Sequence, residues 1–280
     1  MNTIKKYSLV FIFLVTLTTL ILSILLFGGY IQEANLPPVV VTITQKVREL
    51  AMPKPELFKY IEIIESCDPY YKGECVTARS GPDEKYPIIA RLRTGIVLKV
   101  ADTVTKDNRD WYKIEFEKTI RYPERITTEW FIPKESVHLI EDDGDHEPNK
   151  TELASSTKRI VIDRSEQMLY AYDKDTLFMQ TTISTGVEFA PTPHGTFNIY
   201  RMTPSRYMQG PIPGASSAYY DLPGVPWNLY FTSKGDVIHG AYWHNKFGSP
   251  QSQGCVNLPP DQAKKLYMWA DIGTTVIVQA

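Results

Sequence analysis

The sequence predicts a mainly β protein that is preceded by one membrane-spanning helix. From about residue 73 onward, short apolar segments recur between turn residues, as strands joined by tight loops would require. In "DWYKIEFEK", Tyr112, Ile114 and Phe116 alternate with Trp111 and charged residues, which is the period of a half-buried strand. Twenty prolines and seventeen tyrosines also suit strands and loops better than a helical bundle.

Length and charge set the broad class of the protein. A chain of 280 residues can form one large domain or two modest ones with additional segments. Its formal net charge of -2 lacks the basic excess of a nucleic-acid-binding protein. We therefore expect no nucleic-acid partner.

The N-terminal segment is expected to be a membrane anchor, spanning residues 1–30 with its cytoplasmic tip. Residues 8–27 contain no charge, and twenty residues at about 1.5 Å each cross the roughly 30 Å hydrocarbon layer as a helix. Lys5 and Lys6 precede this run and Glu33 follows it, which predicts a cytoplasmic N-terminus with the bulk of the chain outside. A cleaved signal peptide is the alternative, although its apolar region is usually only about 7–15 residues long.

The remainder divides into four predicted parts. Residues 31–66 are expected to be a membrane-proximal stalk, and residues 67–141 a small β-barrel. Residues 142–157 are polar and acidic and predict a solvated linker rather than a metal site. Residues 158–280 combine short strands with one clear helix, "PDQAKKLYMWADIG", and predict a β-sandwich with a single packed helix.

Three cysteines form an odd set on the predicted outer side of the membrane. Cys67 and Cys75 are close enough in sequence to close a small disulfide loop in an oxidising compartment, which leaves Cys255 unpaired. Three free cysteines are the alternative. An unpaired thiol near histidines is a first indication of chemistry.

Residues 237–260, "VIHGAYWHNKFGSPQSQGCVNLPP", bring His239, His244 and Cys255 together and allow three interpretations. A zinc site has suitable ligand types, but structural zinc usually takes four ligands at tighter spacing, so we expect no metal. A purely structural role would make His239 a hydrogen-bonded strand residue and Cys255 a small buried side chain. The third interpretation is a cysteine nucleophile with a histidine base.

The nucleophilic interpretation assigns distinct tasks to the two ends of this segment. His239 ends the predicted strand "DVIHG", and the backbone carbonyl of Gly240 could orient its imidazole. Cys255 is expected in a loop, since Pro259 and Pro260 should keep the following residues out of a strand.

The residues just before the thiol are suited to an oxyanion site. Gly254 would let the backbone approach a substrate closely, and the N–H groups of Gln253, Gly254 and Cys255 could converge on a developing negative charge. These residues together predict acyl transfer by a cysteine enzyme.

The joint motif resembles the signature of the L,D-transpeptidases (the YkuD-like catalytic domain). A His-Gly pair is followed, after a gap, by Ser-x-Gly-Cys-Val-Asn at residues 252–257. The segments "STGVEFAPTPHGTFNI", "IHGAYWHNKFGSP" and "CVNLPPDQAKKLYMWADIGTTVIV" extend the resemblance over residues 158–280. Upstream, "VTARSGPD", "GIVLKV", "DWYKIEF" and "WFIPKESVHLI" resemble a bacterial SH3-like domain, which would dock on cell-wall polymer.

The resemblance implies roles for the site residues and needs no cofactor. Cys255 would be the nucleophile and His239 the base, with substrates drawn from peptidoglycan stem peptides. Ser252 and Asn257 would shape the loop by hydrogen bonds.

Two further residues of the segment, and one departure from the family, complete the expectation. Trp243 and His244 would line the cleft, with a core position equally open for Trp243. The family usually has histidine before the Gly-Cys pair, whereas this chain has Gln253. Gln253 therefore puts substrate placement, oxyanion geometry or rate in question.

The implied protein is a single-pass membrane enzyme of the cell envelope that cross-links stem peptides through a thioester. Stem peptides would serve as both donor and acceptor. The alternatives are an L,D-carboxypeptidase that uses water as acceptor, and a wall-binding scaffold whose catalytic domain is degenerate.

Overall fold

The computed structural model describes residues 57–145, 156–212 and 219–280, and these belong to one compact unit. Within these ranges the chain forms three β-sheets and one α-helix. No helix in the described part is long and apolar enough to cross a membrane. The predicted anchor at residues 1–30 lies outside the described residues.

The first sheet has seven strands, all paired antiparallel in the order β3-β2-β6-β5-β4-β1-β7. The strands are β1 (Phe58–Glu62), β2 (Val76–Arg79), β3 (Ile88–Leu92), β4 (Val97–Lys106), β5 (Arg109–Glu115), β6 (Phe131–Pro133) and β7 (His138–Asp142). Residues on β5 that alternate in the sequence, Tyr112 and Ile114, are buried in its core, as predicted.

Strand β1 corrects the predicted stalk at residues 31–66. Tyr60 pairs with Lys99 of β4 and with Ile140 of β7, so the strand is internal to the sheet. The apolar run "YIEII" can be a strand or a helix by its pattern alone, and only its two sheet partners decide. The rest of the predicted stalk lies outside the described residues.

A disulfide joins Cys67 and Cys75 next to this strand. Of the two pairing alternatives in the sequence, the small closed loop is therefore the one present, and Cys255 is the free thiol.

The second part of the chain contains two sheets of four and five strands. The five-stranded sheet has the order β10-β9-β8-β16-β11 and the four-stranded sheet the order β12-β13-β14-β15. The strands are β8 (Lys158–Asp163), β9 (Met168–Asp173), β10 (Thr176–Thr182), β11 (Gly195–Asn198), β12 (Arg201–Pro211), β13 (Tyr219–Tyr230), β14 (Val237–Gly240), β15 (Val256–Leu258) and β16 (Thr275–Gln279). Apolar side chains from both sheets form one core.

The predicted helix is α1 (Pro260–Trp269). Pro260 occupies the first turn, where its missing N–H costs no intrahelical hydrogen bond. Ala263, Leu266 and Tyr267 are buried on one face, which packs against β13 and β14.

Two long strands were not predicted in full. β12 and β13 form a hairpin that carries Pro204, Pro223 and Pro226, residues that lower the expectation of a paired strand. Register shifts between Arg206 and Met208 interrupt the ladder. This hairpin supplies one wall of the cleft described below.

The two parts of the described chain share continuous packing. Tyr60 and Val97 from the first sheet belong to the core of the second part, while Val225 and Tyr242 belong to the core of the first sheet. The Ser205 hydroxyl also donates to the Val97 carbonyl oxygen at 2.6 Å. The acidic residues at 142–157 were predicted as a solvated linker, whereas Asp142 ends β7 and Asp145 accepts from Arg201 Nε at 2.6 Å.

Gly224 tests this packing by substitution. Its φ of +64° favours glycine, and an added Cβ would lie 2.5 Å from the Val97 carbonyl oxygen. Gly235 also has positive φ, +99°, but no atom lies within 4 Å of its Cβ position. We expect Gly224→Ala to lower the free energy of unfolding by about 1–3 kcal/mol more than Gly235→Ala does. Both substitutions strain the backbone, but only Gly224→Ala also overpacks its surroundings.

Urea unfolding followed by tryptophan fluorescence would measure both variants. Equal losses in the free energy of unfolding would show that a Cβ at position 224 is accommodated beside the Val97 carbonyl oxygen.

Candidate active site

A cleft of about 940 Å³ contains most of the residues that the sequence singled out. The predicted residues that line it are His239, Trp243, Ser252, Gln253, Cys255 and Asn257. Its remaining walls come from the hairpin of β12 and β13, from the first sheet and from the segment that follows β5, which contributes Phe116, Glu117, Lys118, Thr119 and Arg121. The cleft is therefore built by both parts of the described chain.

His239 lies on β14 with only 1% of its surface exposed. Its Nδ1 is 3.1 Å from the Gly240 carbonyl oxygen, which can only accept a hydrogen bond. Nδ1 therefore carries the proton, and Nε2 has the free lone pair of a base. Burial lowers the pKa of His239 to about 4, so the imidazole is neutral at neutral pH.

Cys255 lies in a bend directly before β15, as the predicted loop requires, whereas the expectation that the residues after it stay out of a strand is wrong. β15 pairs parallel with β14, with Ile238 opposite Val256 and His239 opposite Asn257. Pro259 follows the strand and therefore does not prevent it. The pairing holds the thiol beside Val237, at the edge of the strand that carries His239.

The thiol is protonated at rest. Burial and the nearby charge of Asp236 raise the pKa of Cys255 to about 11, although the Val237 N–H and the charge of Arg206 lower it in part. With His239 neutral as well, the resting pair is uncharged rather than a thiolate with an imidazolium. Proton transfer from sulfur must then accompany nucleophilic attack.

Hydrogen bonds hold the segment that precedes the nucleophile. The Ser252 hydroxyl donates to the Cys255 carbonyl oxygen at 2.5 Å, and the Val187 N–H donates to the Ser252 carbonyl oxygen at 2.9 Å. Gly254 has a φ of +112°, and a Cβ there would lie 2.7 Å from Asp236 Oδ1. Glycine is thus required at position 254 both by its backbone and by the carboxylate against it.

The other predicted residues separate into two groups. Gln253 is exposed at the cleft, and Trp243 lines the cleft while also packing against the core of the first sheet. His244 is not among the lining residues. Its Nδ1 accepts from the Lys246 N–H at 3.2 Å, and its Nε2 lies 3.0 Å from Asn257 Nδ2.

Three cleft residues were not predicted from the sequence. Arg206 and Tyr220 come from the hairpin, and Asp236 immediately precedes β14. The Asp236 carboxylate accepts from the Thr232 hydroxyl at 2.5 Å. Only the strand register brings Arg206 and Tyr220 to the cleft, whereas the position of Asp236 beside "VIHG" was a signal that could have been used. In residues 57–145, 156–212 and 219–280, no three His, Cys, Asp or Glu side chains converge as a metal site.

The raised pKa predicts how the free thiol reacts. Alkylation by iodoacetamide should be slow at neutral pH and should rise about tenfold per pH unit toward pH 11, because the thiolate is the reactive form. Cys67 and Cys75 are bonded to each other, so Cys255 is the thiol that such a probe reports. A rate that already reaches its plateau near pH 7 would contradict a protonated resting thiol.

Two known domains match this chain in sequence. Residues 157–278 match the L,D-transpeptidase catalytic domain, and residues 72–119 match the bacterial SH3 domain. No curated protein matches the chain.

Solved structures of L,D-transpeptidases are also similar to it. A mutant of the Enterococcus faecium enzyme shares 25% identity over 44% of this chain and 50% of its own, with a TM-score of 0.40. The enzyme from Mycobacterium smegmatis shares 20% identity over 65% of this chain and 99% of its own, with a TM-score of 0.42. The chain thus spans only half of the first of these relatives, and the domain assignment rests on the sequence matches. Residues 157–278 are an L,D-transpeptidase catalytic domain, and a bacterial SH3 domain at residues 72–119 precedes it.

Proposed function

We propose that this protein is an L,D-transpeptidase that cross-links peptidoglycan stem peptides through a thioester on Cys255. The observation that carries the proposal is the pairing of an oriented neutral imidazole with a free thiol in one cleft. His239 has its Nδ1 against the Gly240 carbonyl, and Cys255 directly precedes the neighbouring parallel strand. These two groups lie within the matched catalytic domain.

In the first half-reaction, Cys255 Sγ attacks the carbonyl carbon of the L-centre of diaminopimelate in a tetrapeptide stem. The thiol proton passes to His239 Nε2 as the carbon–sulfur bond forms. The tetrahedral intermediate then expels the nitrogen of the terminal D-alanine, which takes the proton from His239. Free D-alanine leaves, and the tripeptide acyl group stays on sulfur.

In the second half-reaction, the side-chain amine of diaminopimelate in a second stem attacks the thioester. His239 accepts a proton from the attacking nitrogen and returns it to the departing Cys255 sulfur. The new amide joins two diaminopimelate residues. Water at the same step would release a tripeptide, which is the carboxypeptidase alternative.

The side chain of Gln253 is neither the nucleophile nor the base of the proposed reaction. Its side chain is exposed at the cleft, where the family usually has histidine. Backbone N–H groups at residues 253–255 would stabilise the oxyanion without any contribution from this side chain. Glutamine in place of the usual histidine at position 253 therefore leaves both the proposed base and the proposed nucleophile present.

A location in the cell envelope is part of the proposal, and the N-terminal run and the disulfide support it. An apolar anchor at residues 8–27 would place the enzyme in the cell envelope, and the Cys67–Cys75 bond suits an oxidising compartment. The SH3 domain would contact wall polymer there.

Purified disaccharide-tetrapeptides, incubated with the full chain, would test the proposed function. Mass spectrometry should detect a dimer equal to two monomers minus one alanine. Tripeptide monomers as the main product would favour the carboxypeptidase alternative. Binding to peptidoglycan without any product would support the scaffold.

A further inference from the structure

Arg206 lines the cleft but takes no part in the reaction steps proposed above. It lies on β12, half-buried, and lines the cleft together with Cys255 and His239. Its positive charge acts on both reactive groups, lowering the pKa of the thiol and of the imidazole. The guanidinium therefore belongs to the same cleft as the two reactive groups.

Arg206 has no ion-pair partner within the described ranges. Its guanidinium makes no hydrogen bond or ion pair in these residues. It makes a cation–π contact with the Tyr230 ring, whose centroid lies 5.4 Å away. Arg201 on the same strand lies over the same ring but pairs with Asp145. Glu117 is near enough for the charge of Arg206 to act on it, yet its carboxylate accepts the Tyr207 N–H instead.

The backbone around Arg206 is held in place. It pairs with Val225, which is fully buried, and the neighbouring Gly224 lies against the Val97 carbonyl of the first sheet. A half-buried guanidinium that has no ion-pair partner in the described residues and is carried by a firmly held backbone is suited to bind a carboxylate, with which it can form paired hydrogen bonds.

A second cation extends this positive region. Arg121, from the segment between β5 and β6, and Arg206 both act on Tyr220, and a charge on Cys255 acts on the same phenol. The Tyr220 hydroxyl lies over Gly210, where a Cβ would be 2.3 Å away. Tyr220 thus lies among two arginines and the nucleophile.

The proposed reaction supplies a carboxylate in the corresponding place. The leaving nitrogen belongs to D-alanine, and the attacking nitrogen belongs to one end of diaminopimelate. Each of these nitrogens is bonded to a carbon that also carries a carboxylate. We propose that Arg206 binds the carboxylate on the carbon that bears the leaving nitrogen and, after acyl transfer, the carboxylate beside the attacking nitrogen.

This inference rests on the proposed function and makes Arg206 a specificity-determining residue. One guanidinium would select donors with a free C-terminal carboxylate and acceptors that are α-amino acids. Simple amines and C-terminal amides would be poor substrates because they leave the charge unpaired.

A binding measurement separates this role from catalysis. The full chain carrying Cys255→Ala would be titrated calorimetrically with an L-Ala-γ-D-Glu-diaminopimelate-D-Ala tetrapeptide and with its C-terminal D-alaninamide form. The acid should bind at least about 10-fold more tightly than the amide. Adding Arg206→Gln should weaken binding of the acid to the level of the amide and leave the amide unchanged, whereas Arg206→Lys should retain part of the preference.

Arg159→Gln is the matched control, since this arginine lies on β8, contacts Tyr172 and does not line the cleft. It should keep the full preference for the acid. Equal affinity for acid and amide before Arg206 is changed, or an equal loss for both peptides in Arg206→Gln, would overturn the assignment. If the unsubstituted chain still forms a thioester in that case, only the role of Arg206 fails. If neither peptide binds, the proposed donor fails together with it.

Discussion

The Cys255→Ala chain is expected to form no cross-linked dimer, a loss of at least about 10³-fold in rate. The sulfur is the atom to which the acyl group is transferred, and no other free cysteine is present in the protein, since Cys67 and Cys75 are bonded to each other. Without it, donor carbonyl and acceptor amine would have to react directly in the cleft. Dimer formation from purified tetrapeptides, followed by mass spectrometry over time, would measure the effect.

A structural loss must be separated from a chemical one. Cys255 is partly exposed and precedes a strand whose pairing runs through the backbone, so alanine should leave the fold unchanged. Circular dichroism and urea unfolding of the variant would check this. Continued cross-linking by a folded Cys255→Ala chain would overturn the assignment of the nucleophile.

The second large effect is expected at the base. His239→Ala should slow thioester formation by about 10²–10⁴-fold, because a thiol with a pKa near 11 then has no acceptor for its proton. The residual rate should increase with pH as the thiolate fraction rises. In the unsubstituted chain, by contrast, acylation should fall only below about pH 4, where the imidazole becomes protonated and can no longer act as a base.

Two comparisons sharpen the histidine prediction. His239 is almost fully buried, so His239→Gln, which keeps more of the side-chain volume, would show whether a cavity contributes to the loss. His244→Ala should leave thioester formation readily detectable, since both ring nitrogens of His244 are engaged with Lys246 and Asn257. Stopped-flow or quenched acylation would rank the three variants. A larger loss for His244→Ala than for His239→Ala would show that the base is the other histidine.

Local patterns in the sequence predicted those elements whose conformation is determined by residues close to one another in the chain. The period of "DWYKIEFEK" predicted β5. Pro260 at the first turn and the apolar residues spaced along one face predicted α1. The chemistry expected of His239 and Cys255 placed both in one site, and both line one cleft, to which the pairing of β14 with β15 brings them. For β5 and α1, neighbours in sequence determine the outcome.

Elements that depend on distant partners could not be predicted in this way. β1 is a strand because β4 and β7 lie on either side of it, and β15 is a strand because β14 offers a parallel partner. The prolines of the β12–β13 hairpin argued against a ladder that the register nevertheless accommodates. Arg206 reaches the cleft only through this hairpin, so its sequence neighbours carried no indication of a role.

The most direct test is the mass of the intact protein after incubation with tetrapeptide donor and no acceptor. The account predicts an adduct equal to the donor minus D-alanine, located by proteolysis on the peptide that contains Cys255 and absent from the Cys255→Ala chain. An unmodified protein that nevertheless releases D-alanine, or an acyl group found on a different residue, would contradict it.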